Sequence, residues 1–197
     1  MQLTATDPNF TPFGFLPDFH TPKSKPPKMN PIRVYVACLA AYNNGFLHGC
    51  WVDAALGESR IWEAVRVMLA ASPEDMAEEW AIHDYEGFEG APISEWTSFE
   101  RIAALAEFIE AHGPLGGKLI AHYGGGLDDA KSALEHYFGE YESLEDYARS
   151  QTEDTSEIPE NLAFYFDYRA MAHDWESSGD IFTIETAFDE VHIFGAW

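Results

Sequence analysis

Basic residues are scarce in this chain. Eleven Lys and Arg stand against 34 Asp and Glu in 197 residues, a formal charge of −23. A protein that grips nucleic acid needs Lys and Arg to displace the counterions of the phosphates, so that class is excluded. Cysteine is nearly absent. Cys38 and Cys50 are the two, too few for the disulfide framework of a small secreted domain. The pattern puts them on neighbouring strands, where a bridge is geometrically possible, and two buried free thiols are the expectation. No run approaches the ~18 apolar residues of a membrane span. The N-terminus lacks the basic start, apolar centre and small-residue cleavage site of a signal peptide. The expected location is the cytoplasm, with neither nucleic acid nor membrane as partner.

Signatures of catalysis are missing too. The eight histidines (His20, His48, His83, His112, His122, His136, His173 and His192) include no two at helical i, i+3 or i+4 spacing, so a zinc site has no framework. Gly124-Gly125-Gly126 lacks the Lys-Ser/Thr that completes a phosphate cradle. Asp84 to Gly90 lacks the alternating oxygen ligands and closing glutamate of a calcium loop. Two carboxylates can divide acid and base roles in glycoside hydrolysis, but among 34 acids such pairs arise by chance. The expectation is no catalytic residue, no metal and no cofactor. A carboxylate-pair hydrolase stands as the alternative.

What the chain does contain is apolar material and negative charge. Hydrophobic residues make up 46%, enough for a packed core and against disorder. The charge far exceeds the roughly 2–8 units that keep a small domain soluble, and its self-repulsion costs stability. It is also uneven. Residues 1–28 carry Lys23, Lys25 and Lys28 against Asp7 and Asp18, whereas the remainder holds 32 acids against 8 bases. A charge needed for binding therefore points to a basic surface as partner.

The first 28 residues hold six of the eleven prolines, interleaved with Phe10, Phe13, Phe15 and Phe19. Proline fixes φ and removes a donor, so this is an extended segment without its own core, either a tail or a docking arm. From Met29 the pattern predicts a small α+β unit to about residue 90. Ile32–Leu39 is β-branched and apolar, Asn43-Asn44-Gly45 signals a turn, and Phe46–Val52 reads as the returning strand. A helix follows over Ser59–Ala71 with Ile61, Val65, Met68 and Leu69 on one stripe. Ser72-Pro73 is a helix-start signature, and Glu79–Tyr85 alternates like a third strand.

Residues 91–133 read as a helical middle unit. Thr97-Ser98-Phe99-Glu100 is a capping box, and the helix it opens runs to His112, where Gly113-Pro114 stops it. Asp128 and Asp129 start the next helix, with Leu134, Tyr137 and Phe138 as its buried side and Gly139 as its end. Residues 134–197 read as a second α+β unit. Ser143 caps a helix to about Gln151, Pro159 starts a short helical turn, and Asp167 caps Tyr168–Glu176. Asp180–Glu185 and Phe188–Phe194 read as strands. Between Ile158 and Glu176 the rings of Phe164, Tyr165, Phe166, Tyr168 and Trp175 crowd among carboxylates, so one face there must be buried in a core or an interface. The fold class is α+β, in three parts along an extended body.

Acids recur at three- to four-residue spacing on the helices, ~5–6 Å along the axis, against one phosphate per ~3.4 Å on each strand of B-DNA. The distributed surface comprises Glu74, Asp75, Glu78, Glu86 and Glu89 in the first unit and Glu100, Glu107, Glu110, Asp128 and Asp129 in the middle. Glu135, Glu140, Glu142, Glu145, Asp146, Glu153, Asp154 and Glu157 complete it in the last. Such a surface either presents a phosphate-like field to a DNA-binding groove or simply keeps the body soluble.

Several segments resemble the ArdA family of antirestriction proteins: Asp84-Tyr85-Glu86-Gly87-Phe88, Glu145-Asp146-Tyr147-Ala148, Ile158-Pro159-Glu160-Asn161-Leu162 running on to Phe166-Asp167-Tyr168, and Gly179-Asp180-Ile181-Phe182 with the aromatic end at Trp197. They occur in the family's order over residues 29–197. The resemblance implies an elongated dimer that mimics bent B-form DNA and occupies the DNA-binding site of type I restriction–modification enzymes. Such proteins protect incoming mobile DNA in the bacterial cytoplasm and have no active site. It also implies a dimer contact in the C-terminal unit, by position Phe164, Tyr165 and Phe166, for which core packing is the competing reading. A mimic aimed at a nucleoid protein or recombinase shares every one of these features.

Overall fold

The computed structural model describes residues 30–196, so the proline-rich segment 1–28 and Trp197 lie outside the described residues. Alternation in β1 (Arg33–Cys38) turns Val34, Val36 and Cys38 inward. The turn expected after it is built as a short helix, α1 (Leu39–Asn43), whose end is closed by the Phe46 N–H donating to the Ala41 carbonyl at 2.9 Å. The returning strand β2 is accordingly shorter than expected, Gly49–Asp53. Next, α2 (Glu58–Ala70) lays Ile61, Val65 and Met68 on the sheet.

The helix expected at Ser72-Pro73 does not form. Ser72 Oγ accepts from the Glu74 N–H at 3.2 Å, but Met76 adopts φ 55° and reverses the chain. The gain from pairing β3 (Trp80–Glu86) along β1 outweighs a local helical turn. The result is an antiparallel sheet of order β2-β1-β3. Its inner face rests on α2 and on the long helix α3 (Phe99–His122), which buries Phe99, Ile102, Leu105, Ala106 and Ile109. Trp80 stacks on Phe99 with 4.1 Å between centroids, and Trp62 meets both edge-on.

The start of α3 is one residue later than the expected box, because Ser98 rather than Thr97 caps it, accepting from the Arg101 N–H at 3.3 Å. Its end differs more. Gly113 stands at φ 63°, ψ −151°, a conformation open essentially to glycine alone. There the helix breaks, then restarts with Pro114 in its first turn and continues to His122. A glycine is required again at 117, where a Cβ would lie 2.5 Å from the Phe88 carbonyl oxygen. The second half of α3 can thus pass against the turn that follows β3.

Helix α4 (Leu127–Ala133) begins at Asp128 and Asp129 as expected but stops before Tyr137. After a single 3-10 turn at Leu134–His136, Tyr137, Phe138 and Gly139 belong to β4 (Tyr137–Tyr141), not to a helix. Aromatic residues favour a pleated, half-buried surface, and Tyr137 finds its partner in Phe194, far along the chain. Helices α5 (Leu144–Thr155), α6 (Glu160–Ala163) and α7 (Tyr168–Ser178) follow, then β5 (Ile181–Ala187) and β6 (Glu190–Gly195). The second sheet is antiparallel with order β4-β6-β5.

The second sheet is covered on both faces. Phe182, Ile184 and Phe194 join the apolar cluster that runs through α3 and α4 to the first sheet. Ile181 and Ile193 pack on Tyr147 of α5 and Trp175 of α7. Each fully buried side chain of this kind contributes roughly 1.5–3 kcal/mol. On the other face of the first sheet, by register, Arg33, Tyr35, Trp51, Asp53, Asp84 and Glu86 stand around the buried Ala37 and Ala81. Antiparallel sheets and helices together make the class α+β.

Candidate protein-docking surface

All eighteen acids singled out from the sequence are at least partly exposed. Glu74, Asp75 and Glu78 lie in the connection from α2 to β3, Glu86 ends β3, and Glu89 sits in the next turn at φ 51°. Glu100, Glu107 and Glu110 project from α3. Asp128 and Asp129 occupy the first turn of α4, where its dipole favours negative charge. Glu135 lies in the 3-10 turn, Glu140 in β4 and Glu142 just before α5. Glu145 and Asp146 fill the first turn of α5, capped by Ser143, whose Oγ accepts from the Asp146 N–H at 3.1 Å. Glu153 and Asp154 are in its last turns and Glu157 beyond them.

Neutralisation is sparse. Among the described residues only Glu86, Glu145 and Asp146 of the eighteen form ion pairs, Glu86 with Arg33 and the other two with Arg149. These are exposed contacts worth at most ~1 kcal/mol. The uncompensated field reaches nearby phenols. Burial first, then Asp129, raises the Tyr123 pKa. Burial, then Glu140 and Tyr141, raises that of Tyr137 strongly, and burial, then Asp154, raises that of Tyr141.

Two acidic grooves gather part of the surface. One of about 440 Å³ between α2 and α3 is lined by Glu100, Glu107 and Glu110. On a helix these lie ~10 and ~4.5 Å apart along the axis. The fold adds Glu58 from the start of α2, a residue sequence reasoning missed. Its only sequence signal is the i, i+4 spacing to Trp62, whose Nε1 donates to it at 3.3 Å. The second groove, about 770 Å³, is walled by Glu153, Asp154 and Glu157 with Ile158, Pro159 and Tyr168. Six of the eighteen acids are thus brought together, and the other twelve, Glu74, Asp75, Glu78 and Glu135 among them, line neither groove.

Beside the second groove the aromatic stretch faces outward. Phe164 is 92% exposed, Tyr165 78% and Phe166 40%. Core packing within this chain is thereby excluded for Phe164 and Tyr165, which touch each other edge-on at 5.8 Å. Tyr168 and Trp175 are half-buried, under the Arg149 guanidinium and against Tyr147 respectively.

No group of three or more His, Cys, Asp or Glu among the described residues is placed to hold a metal ion. No helix among them is long and apolar enough to cross a membrane. Cys38 is buried, Cys50 half-buried, and both are free thiols. A family model described as antirestriction protein (ArdA) matches residues 34–190. The chain belongs to the ArdA family of antirestriction proteins. That match runs from β1 to the start of β6 and so takes in both sheets, both acidic grooves and the exposed rings. The ArdA segment Ile158–Leu162 enters the wall of the second groove through Ile158 and Pro159, whereas Glu145–Ala148 lies at the start of α5, outside its lining. No curated protein matches the chain.

Proposed function

We propose that this ArdA-family chain acts as an acidic mimic of B-form DNA and competitively occupies the DNA-binding groove of a type I restriction–modification enzyme. The observation that carries the reading is the run of exposed carboxylates from Glu58 to Glu157, the large majority of which have no ionic partner among the described residues. A protein gains nothing in its own stability from such a field, which repels itself. A basic groove built to receive phosphates would gain steering and complementarity from it. No residue is assigned a catalytic role, and neither cofactor nor nucleic acid enters the reading.

The same proposal includes a homodimer formed through Phe164, Tyr165 and Phe166. Two large rings exposed side by side on a helical turn are a poor fit to water and a good fit to a symmetric contact. Doubling the chain would also double the length of the acidic surface.

Competition tests the mimic. A type I methyltransferase bound to a labelled cognate duplex is titrated with this protein at several salt concentrations. The expected outcome is displacement near stoichiometry that weakens as salt rises. Absence of displacement at low salt defeats the reading, and displacement of a nucleoid protein or recombinase instead would redirect it.

A further inference from the structure

The groove between the end of α5 and the α6–α7 turn lies beside the exposed rings. We propose that the two copies of the homodimer engage reciprocally, with Phe164 and Tyr165 of each seated in this groove of the other. The inference rests on the homodimer proposed above and adds how its surfaces meet. Projection and hollow are joined in one chain. Ala163 lines the groove and Phe164 follows it directly, so their Cα atoms stand ~3.8 Å apart. A hydrogen-bonded turn holds the rings out. The Tyr165 N–H donates to the Leu162 carbonyl at 2.9 Å, and the Phe166 N–H to that of Ala163 at 3.3 Å. Phe166 in turn stacks at 5.8 Å on Tyr168, a wall of the groove over which the Arg149 guanidinium lies from α5.

Symmetry, chemistry and charge fit the groove to a second copy. A patch that carries a projection and the hollow beside it is self-complementary under a two-fold axis passing between them, and each contact is made twice. Ile158, Pro159 and Ala163 offer an apolar wall to the Phe164 ring. Glu153, Asp154 and Glu157 offer carboxylates to the Tyr165 hydroxyl, which donates a charge-assisted hydrogen bond to one of them. Rings stacked on rings across the axis would leave that apolar wall in water. Two copies also bring two sets of these acids together, which repel unless a cation accompanies them. Arg169 supplies it. This residue follows the Tyr168 wall, is exposed, and has no ion pair among the described residues. Arg149, by contrast, is already committed to Glu145 and Asp146.

Subunit complementation, followed by sedimentation of full chains, tests the arrangement. Phe164→Ser/Tyr165→Ser removes the rings and keeps the groove. Ala163→Trp fills the groove from an exposed position and keeps the rings. Each variant alone should dissociate at least about tenfold more readily than the unaltered dimer. Mixed, they should form heterodimers at concentrations where each alone is monomeric, because one pair of rings still finds one groove. If Ala163→Trp dimerises as tightly as the unaltered chain, or the mixture stays monomeric, the reciprocal contact is overturned while the homodimer reading stands. An unaltered chain that is monomeric throughout defeats both. Should the tryptophan disturb the turn, Arg169→Glu on the exposed side of α7 gives an independent readout. The dimer should then weaken about tenfold at low salt, and the loss should shrink as salt screens it. An unchanged dimer in that variant overturns the inference as well.

Discussion

His192 is the one buried side chain among the described residues that is both polar and titratable at physiological pH, at 7% exposure. Its ring joins β4 to the β5–β6 hairpin, with Nδ1 2.7 Å from the Tyr137 hydroxyl and Nε2 3.0 Å from Thr186 Oγ1. Burial lowers its pKa below 6.5, against the weaker opposing pull of Glu190. Between 6.5 and that lower value the unfolded chain binds a proton the folded chain refuses. This contribution to stability is therefore full above pH 6.5 and is lost as pH falls through the window. Urea unfolding at pH 7.0 and 5.5 should show lower stability at 5.5, with a smaller difference in His192→Gln. His112, lowered by burial in the same direction, keeps part of the slope. An equal slope in the variant would refute the assignment. Carboxylates behave differently from this buried group. Glu107→Gln alone should weaken competition by only about twofold, the scale of one screened surface charge. Together Glu100→Gln, Glu107→Gln and Glu110→Gln should reach about tenfold. Complete loss on a single change would instead favour a carboxylate-pair enzyme.

At the level of elements, the turn between α5 and α7 separates two roles of aromatic residues. Tyr147 and Trp175 hold α5 and α7 on the second sheet, whereas Phe164 and Tyr165 are exposed and meet each other edge-on. Phe164→Ser/Tyr165→Ser should convert a dimer to a monomer in sedimentation and shift the melting temperature by less than ~2 °C. A dimer that survives the change places the contact elsewhere. Ser143 shows the opposite balance. Its cap on α5 is local, and Ser143→Ala should cost about 1 kcal/mol without altering association.

For the molecule as a whole, net charge is the governing quantity. Self-repulsion on this scale is screened within ~10 Å at 0.1 M salt, so added salt should stabilise the fold while it weakens binding to a basic groove. The two effects have opposite signs in one titration. Melting temperature should rise between 20 and 300 mM sodium chloride over the range in which competition for the methyltransferase declines. A melting temperature that falls with salt would mean that ion pairs, and not repulsion, dominate.

Much of this was legible in order along the chain. Periodicity located α2, β3, the first half of α3 and the Ser143 and Asp167 caps within a few residues, because those signals are local. The acid list was legible for a similar reason: carboxylates without partners stay at the surface of almost any fold. The strand at Tyr137–Tyr141 was not, since its aromatic residues suit a helix face until Phe194 supplies a ladder. Glu58 joined the α3 glutamates only through helix–helix packing. The direction of Phe164 and Tyr165 was undecided between core and interface until the space around them was known. Sequence by itself determined composition, charge and the local starts and stops of elements, which depend on neighbours a few residues apart. Tertiary structure alone decided which face each ring and acid presents, because that depends on partners brought together from distant parts of the chain.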